Sequence, residues 1–141
     1  MSRWTCPFCD REFSRAHQSH VCVPGGTVDD TFAPYPAEWR LIYDAVVAHL
    51  DTLGPVHADA VKVGVFLKTD RKLAEIRPRA RAVDLMLMLP GAFDDPRVAR
   101  VLRASADLTA NVFKLTSTAD VDDQLRVWLT AAYATATRVR P

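Results

Sequence analysis

Residues Val61 to Leu89 read VKVGVFLKTDRKLAEIRPRARAVDLMLML, three runs of alternating apolar and polar side chains separated by two charged turns. A period of two is the mark of strands with one face buried, so the stretch predicts the centre of an antiparallel sheet. Val63, Val65 and Leu67 share one face of the first run, Ala74 and Ile76 one face of the second, and Val83, Leu85, Leu87 and Leu89 one face of the third. That face is the expected core. The other would carry Phe66, Lys68, Glu75, Arg77, Met86 and Met88, a set too basic for a core and too apolar for an idle surface.

Working outward, Pro36 and Glu38 open a predicted helix in which Trp39, Ile42, Val46, Val47, Leu50 and Leu53 recur every three or four residues, until Gly54-Pro55 stops it. Val56 to Lys62 reads as the first strand of the sheet. On the far side, Asp95-Pro96 is expected to cap a short helix through Leu102, with Arg97, Arg100 and Arg103 along one side, and Leu108 to Thr116 reads as a further strand. Ser117 and Asp120 have capping-box spacing ahead of a closing helix whose apolar stripe is Val121, Leu125, Trp128, Leu129, Ala132 and Tyr133. The expected class is α+β: an antiparallel sheet of about four to five strands flanked by an N-terminal and a C-terminal helix, over residues 36–137. Residues 25–35, rich in Pro, Gly and Asp, read as a linker.

Residues 1–24 carry different chemistry. Cys6-Pro7-Phe8-Cys9 is a Cys-x-x-Cys turn that can place two thiolates at adjacent corners of a tetrahedron, and His17, His20 and Cys22 follow where the remaining corners must be filled. Phe13 would be the small apolar plug beside the metal. The three cysteines, all between positions 6 and 22, cannot pair off evenly. In a chain expected to be cytoplasmic they point to structural Zn²⁺ rather than to disulfides. Both His17 and His20 reach Cys22. Helical geometry leans to His17, five residues away, because residues two apart on a helix point about 200° from each other. His20 serves if the chain leaves the helix by Cys22, an exit that Val23-Pro24-Gly25-Gly26 makes easy.

The finger, with Arg11, Phe13 and Gln18-Ser19-His20-x-Cys22, precedes a domain that starts near Thr31-Phe32 and ends with Leu125, Val127-Trp128-Leu129 and Ala132-Tyr133. Together these resemble a bacterial domain-of-unknown-function family that often carries an N-terminal zinc finger of the form CxxC...HxC. The resemblance spans nearly the whole chain. It implies Cys6, Cys9, His20 and Cys22 as the zinc ligands, and it implies no activity or substrate.

The 141 residues carry a formal net charge of +1, unevenly spread. Val28 to Ala60 holds one Arg and six acids, whereas Lys62 to Arg103 holds ten bases and five acids. No apolar run approaches the roughly 20 residues of a membrane span, and Met1 to Thr5 lacks a secretory pattern, so a cytoplasmic protein with no membrane partner is expected.

Catalytic patterns are sparse. His49 and His57 have no cysteine or serine pattern beside them. Asp59 followed by Asp70-Arg71-Lys72 has the acid, acid-x-Lys grammar of a metal-dependent nuclease, but the second part falls in an expected hairpin turn. The five glycines form no phosphate loop. These features favour a non-enzymatic zinc-finger protein that binds nucleic acid or an acidic protein through Lys68, Arg77, Arg79 and Arg81 with Phe66 and Met86. The competing expectations are a protein-interaction module, monomeric or homodimeric, and a small-ligand or enzymatic domain with a pocket near Asp59, His57 or Lys62.

Overall fold

The computed structural model describes residues 3–7, 12–18 and 27–137. Along these the chain forms β1 (Trp4–Thr5), β2 (Glu12–Phe13), α1 (Val28–Phe32), α2 (Ala37–Asp51) and β3 (His57–Val61). It continues through β4 (Gly64–Lys68), β5 (Lys72–Pro78), β6 (Val83–Leu89), β7 (Val98–Arg103), β8 (Thr109–Leu115) and α3 (Asp123–Thr137). The fold is α+β. β1 and β2 pair with each other, and the other six strands make one antiparallel sheet in the order β3-β4-β5-β6-β8-β7. The first four strands form a meander; the chain then crosses to the far edge as β7 and returns as β8 between β6 and β7.

The register lines up one residue from each strand into a row across the core face: Ala60, Val65, Ile76, Leu85, Phe113 and Val98. Helices α2 and α3 cover this row with Trp39, Ile42, Val46 and Leu50 from one and Leu125, Leu129, Ala132 and Ala136 from the other. Complete burial of the Val, Leu and Ile side chains among them stabilises by about 1.5–3 kcal/mol each. α2 begins after Pro36, whose ring presets the backbone and which has no N–H to leave unpaired. It ends before Gly54, held at φ +149°, where a side chain would also strike the Tyr133 hydroxyl that donates to Pro55 O at 3.0 Å. A bulge at Leu67/Lys68 sets Lys72 opposite Lys68, which lets both Leu73 and Ala74 enter the core.

Four expectations change. Val63 is not a core residue: Val61 pairs with Gly64, so Lys62 and Val63 are the two-residue turn of a hairpin and Val63 is exposed. The sheet has six strands rather than four to five, because residues 98–103 form a strand and not the end of a helix. The reason lies at Asp95-Pro96, where Val98 N donates to Asp95 O at 3.0 Å and closes a single turn. Arg97 then locks that turn, its guanidinium 2.9 and 3.1 Å from the Asp95 oxygens and 2.7 Å from Asp120 O. Ser117 and Asp120 do form a capping box, but on a 3₁₀ turn at Thr118–Asp120 rather than on α3 itself. Finally, the stretch read as linker holds α1, capped by Thr27 Oγ1, which accepts from Asp30 N at 3.1 Å. Its Phe32 is buried against Tyr43, with ring centroids 5.2 Å apart.

Candidate functional site

The sheet face turned away from the helices is built from the neighbouring register row, Asp59, Phe66, Glu75, Met86, Val112 and Arg100. It divides into a covered half and an open half.

Over β3 and β4 lies the β1–β2 pair. Asp59, only 1% exposed, accepts from Glu12 N at 3.1 Å and forms an ion pair with Lys68 Nζ at 2.8 Å, while Lys68 Nζ donates to Glu12 O at 3.0 Å. His57 Nε2 lies 2.6 Å from Asp59 Oδ1, but it is not aligned as a hydrogen bond and that nitrogen has no hydrogen-bond partner among the described residues. On its other side His57 Nδ1 is 3.6 Å from a Glu12 carboxylate oxygen. Arg3 pairs with Glu12 and donates to Asp70 O at 2.5 Å, while Lys68 Nζ sits 5.2 Å from the centre of the Phe13 ring. A charge removed from water needs such saturation, and the seam meets it by interleaving donors and acceptors from β2, β3 and β4.

Over β5, β6, β8 and β7 the face is open. A groove here is lined by Arg77, Arg79, Arg81, Arg100 and Lys114 together with two carboxylates, Glu75 and Asp84, over a floor that includes Met86 and Val112. Glu75 accepts from Arg77 Nε at 2.5 Å and from Lys72 Nζ at 3.4 Å; Asp84 accepts from Arg79 Nε at 3.1 Å and from Lys114 Nζ at 3.0 Å. Each carboxylate is thus shared by two cations. That sharing leaves positive charge in excess, and Arg81 and Arg100 pair with no carboxylate among the described residues. The arrangement holds arginines in place without neutralising them.

Of the six residues expected to make contact, Arg77, Arg79 and Arg81 come together at the β5–β6 turn, and Met86 lines the groove beside them. Phe66 and Lys68 belong elsewhere. Phe66 lies under Lys72 Nζ, 4.5 Å from the ring centre, and Lys68 is turned into the seam with Asp59. Two groove residues escaped the sequence reading. Lys114 alternates with buried Phe113 and Leu115 in a segment already read as a strand, so period two alone could have placed it. Arg100 could not be placed while its segment was read as a helix.

Among the proposed zinc ligands only Cys6 is described; it is buried beside Phe13 and Trp4, while Cys9, His20 and Cys22 lie outside the described residues. Among the described residues no group of three His, Cys, Asp or Glu side chains could hold a metal ion. His17 has φ +58°, ends a turn and packs its ring 5.2 Å from that of Trp4. Residues 14–17 are bend and turn, so the helical geometry that favoured His17 is not present at that residue. The nuclease-like grammar also comes apart: Asp59 is paired to Lys68 inside the seam, and Asp70 sits in the turn before β5. His49 bonds Thr130 Oγ1 at 2.9 Å across the outer side of α2 and α3.

The model of a family described as a domain of unknown function (DUF5655) matches residues 28–136. The chain belongs to that family. The DUF5655 unit starts at the first residue of α1, inside the stretch expected to be linker, and ends one residue before the close of α3. It contains the whole groove and Asp59, whereas Glu12 and Phe13, which cover Asp59 and Lys68, come from outside it. No curated protein and no solved structure matches the chain. Among the described residues no helix is long and apolar enough to cross a membrane.

Proposed function

We infer that this is a non-enzymatic binding protein whose open half-sheet holds a polyanion, nucleic acid ahead of an acidic protein, and whose first residues form a structural zinc finger. The observation that carries the reading is the groove in which five cations surround two carboxylates over Met86 and Val112. Fixed cations beside the half-buried Met86 and the exposed Leu102 suit a ligand that offers both phosphate and flat apolar faces. Lys68, committed to Asp59, and Phe66, under Lys72, leave the contact set, and Arg100 and Lys114 enter it. In support of the finger, Cys6 is buried against Phe13, the apolar plug such a unit needs. Zn²⁺ held by Cys6, Cys9, His20 and Cys22 would have no open coordination position and would contribute folding energy rather than chemistry.

A salt-titrated binding assay tests the surface. If about three to four phosphates are neutralised, log affinity falls against log salt with a slope of roughly −2 to −4, and replacing Arg77, Arg79 and Arg81 together by alanine flattens it. Affinity indifferent to those changes ends the reading. Elemental analysis tests the metal: one Zn²⁺ per chain is expected, lost in His20→Ala and retained in His17→Ala.

A homodimerisation module is the second reading, favoured by the edge strand β7. Val101 is 40% exposed and Leu102 52% exposed on a strand whose outer side pairs with nothing among the described residues. A dimer in solution that Leu102→Lys dissociates would support it.

A further inference from the structure

Beside the basic turn, on the other side of Arg77 and Arg79 from the groove, is a pocket of about 430 Å³ between the end of α1 and the two turns at Lys62-Val63 and Pro78–Ala80. The volume falls in the range of about 300–1,000 Å³ that small ligands occupy. Its lining residues include Lys62, Arg77, Arg79, Asp30 and Tyr35; Arg77 and Arg79 also reach Glu75 and Asp84 of the groove through Nε. Lys62 is exposed and pairs with no carboxylate among the described residues. The lip is held in place: Trp39 Nε1 donates to Arg79 O at 2.7 Å, and Arg79 N donates to Ala82 O at 2.8 Å. Pro78, which is buried, stiffens the same turn.

Because Arg77 and Arg79 line both hollows, a single extended ligand can occupy groove and pocket together. An acidic peptide would be served by the cations alone and leaves the aromatic wall without a purpose. A duplex keeps its bases stacked inside and cannot enter a hollow. A single strand can turn one base out against a ring while its phosphates meet lysine and arginine. Building on the polyanion reading above, the geometry points to single-stranded nucleic acid as the ligand, with one nucleotide seated in this pocket, its base against Tyr35 and its phosphate between Lys62 and Arg79.

The test is fluorescence anisotropy on the full chain with a labelled single-stranded thymidine oligonucleotide, the same length of duplex DNA, and polyglutamate as competitor. Tyr35 also packs against the core, so two variants separate stacking from folding: Tyr35→Phe keeps the ring, and Tyr35→Leu keeps only bulk. Tyr35→Phe should bind the single strand as the natural chain does. Tyr35→Leu should weaken it about tenfold, as expected for the loss of one stacked base, with thermal unfolding confirming that it is folded. Lys62→Ala should weaken it as well. If Tyr35→Leu binds as tightly as the natural chain while Arg77, Arg79 and Arg81 replacements weaken binding, the pocket assignment is overturned and the basic face stands. Preference for duplex, or displacement by polyglutamate at lower concentration than by unlabelled oligonucleotide, also overturns it. No binding to any of the three probes at low salt sinks both the pocket and the polyanion reading.

Discussion

Two neighbouring register rows of the same sheet, one residue apart along every strand but β7, where a bulge makes it two, do opposite work. On the helix side the row Ala60, Val65, Ile76, Leu85, Phe113 and Val98 carries no charge; on the other the row Asp59, Phe66, Glu75, Met86, Val112 and Arg100 mixes three charged residues with three apolar ones. The first row stabilises by leaving water, and its worth depends on volume and fit. The second holds shape through ion pairs, whose worth depends on how completely each is enclosed. Asp59 is enclosed by the leading segment, whereas Glu75 and Asp84, also buried, are each bound by two cations of the open half. Stability therefore concentrates on the core row and in the seam, and the open half remains available for binding.

The contrast can be broken most severely at Phe113, which is fully buried and stacks on Trp128 with ring centroids 5.2 Å apart. Phe113→Ala should cost about 3–5 kcal/mol in urea unfolding, and a cost near zero would mean the core row is not the principal source of stability. Next is Asp59→Ala, which strands Lys68 in the seam and should cost about 3 kcal/mol. Asp59→Leu combined with Lys68→Met should recover much of that loss, since the uncompensated charge is gone; no recovery would show that the seam acts by more than charge pairing.

Removing residues 1–26 uncovers the seam without changing the sheet, and loss of the Glu12 N–H bond to a charged oxygen should lower stability by about 1.5–3 kcal/mol. An unchanged thermal midpoint would mean that the leading segment and the DUF5655 unit fold separately despite this contact. The smallest effect is at Arg97. Its hydrogen bond holds the Asp95 carboxyl below the 3.8 it would have unfolded. Asp122 is lowered first by the Leu125 N–H and then by Arg97. A carboxyl with a depressed folded pKa contributes stability that is complete above the unfolded value and lost as pH falls through the folded one. The natural chain should therefore lose stability below about pH 4 more steeply than Arg97→Ala, by about 1 kcal/mol or less, as read from urea midpoints between pH 2 and 6.

Much of the core row is legible in the sequence, because period-two alternation over Val65, Leu67, Ala74, Ile76 and Val83 to Leu89 has one physical solution when one face must leave water. Val63 broke that pattern since alternation cannot say where a hairpin turns, and the Val61↔Gly64 pairing spends Lys62 and Val63 on the turn. Residues 95–103 misled because Asp-Pro can open either a helix or a turn, and the choice was made by Arg97 reaching Asp120 and Asp122 more than twenty residues away.

The candidate site was legible only in its local part. Arg77, Arg79 and Arg81 are close in sequence and stay close in space, and spacing alone marked them as a basic turn. The same local logic marks the Cys-x-x-Cys turn. The sequence by itself determined the strand faces, the two covering helices and the basic turn, since each follows from side chains within a few residues of one another. Only the tertiary structure decided that Lys68 belongs to Asp59 and Glu12, that Arg100 and Lys114 join the groove, and that Tyr35 and Lys62 line one pocket. Those are meetings between segments distant in the chain, and their free energy depends on which charge is enclosed by which neighbour, a quantity no single stretch of sequence contains.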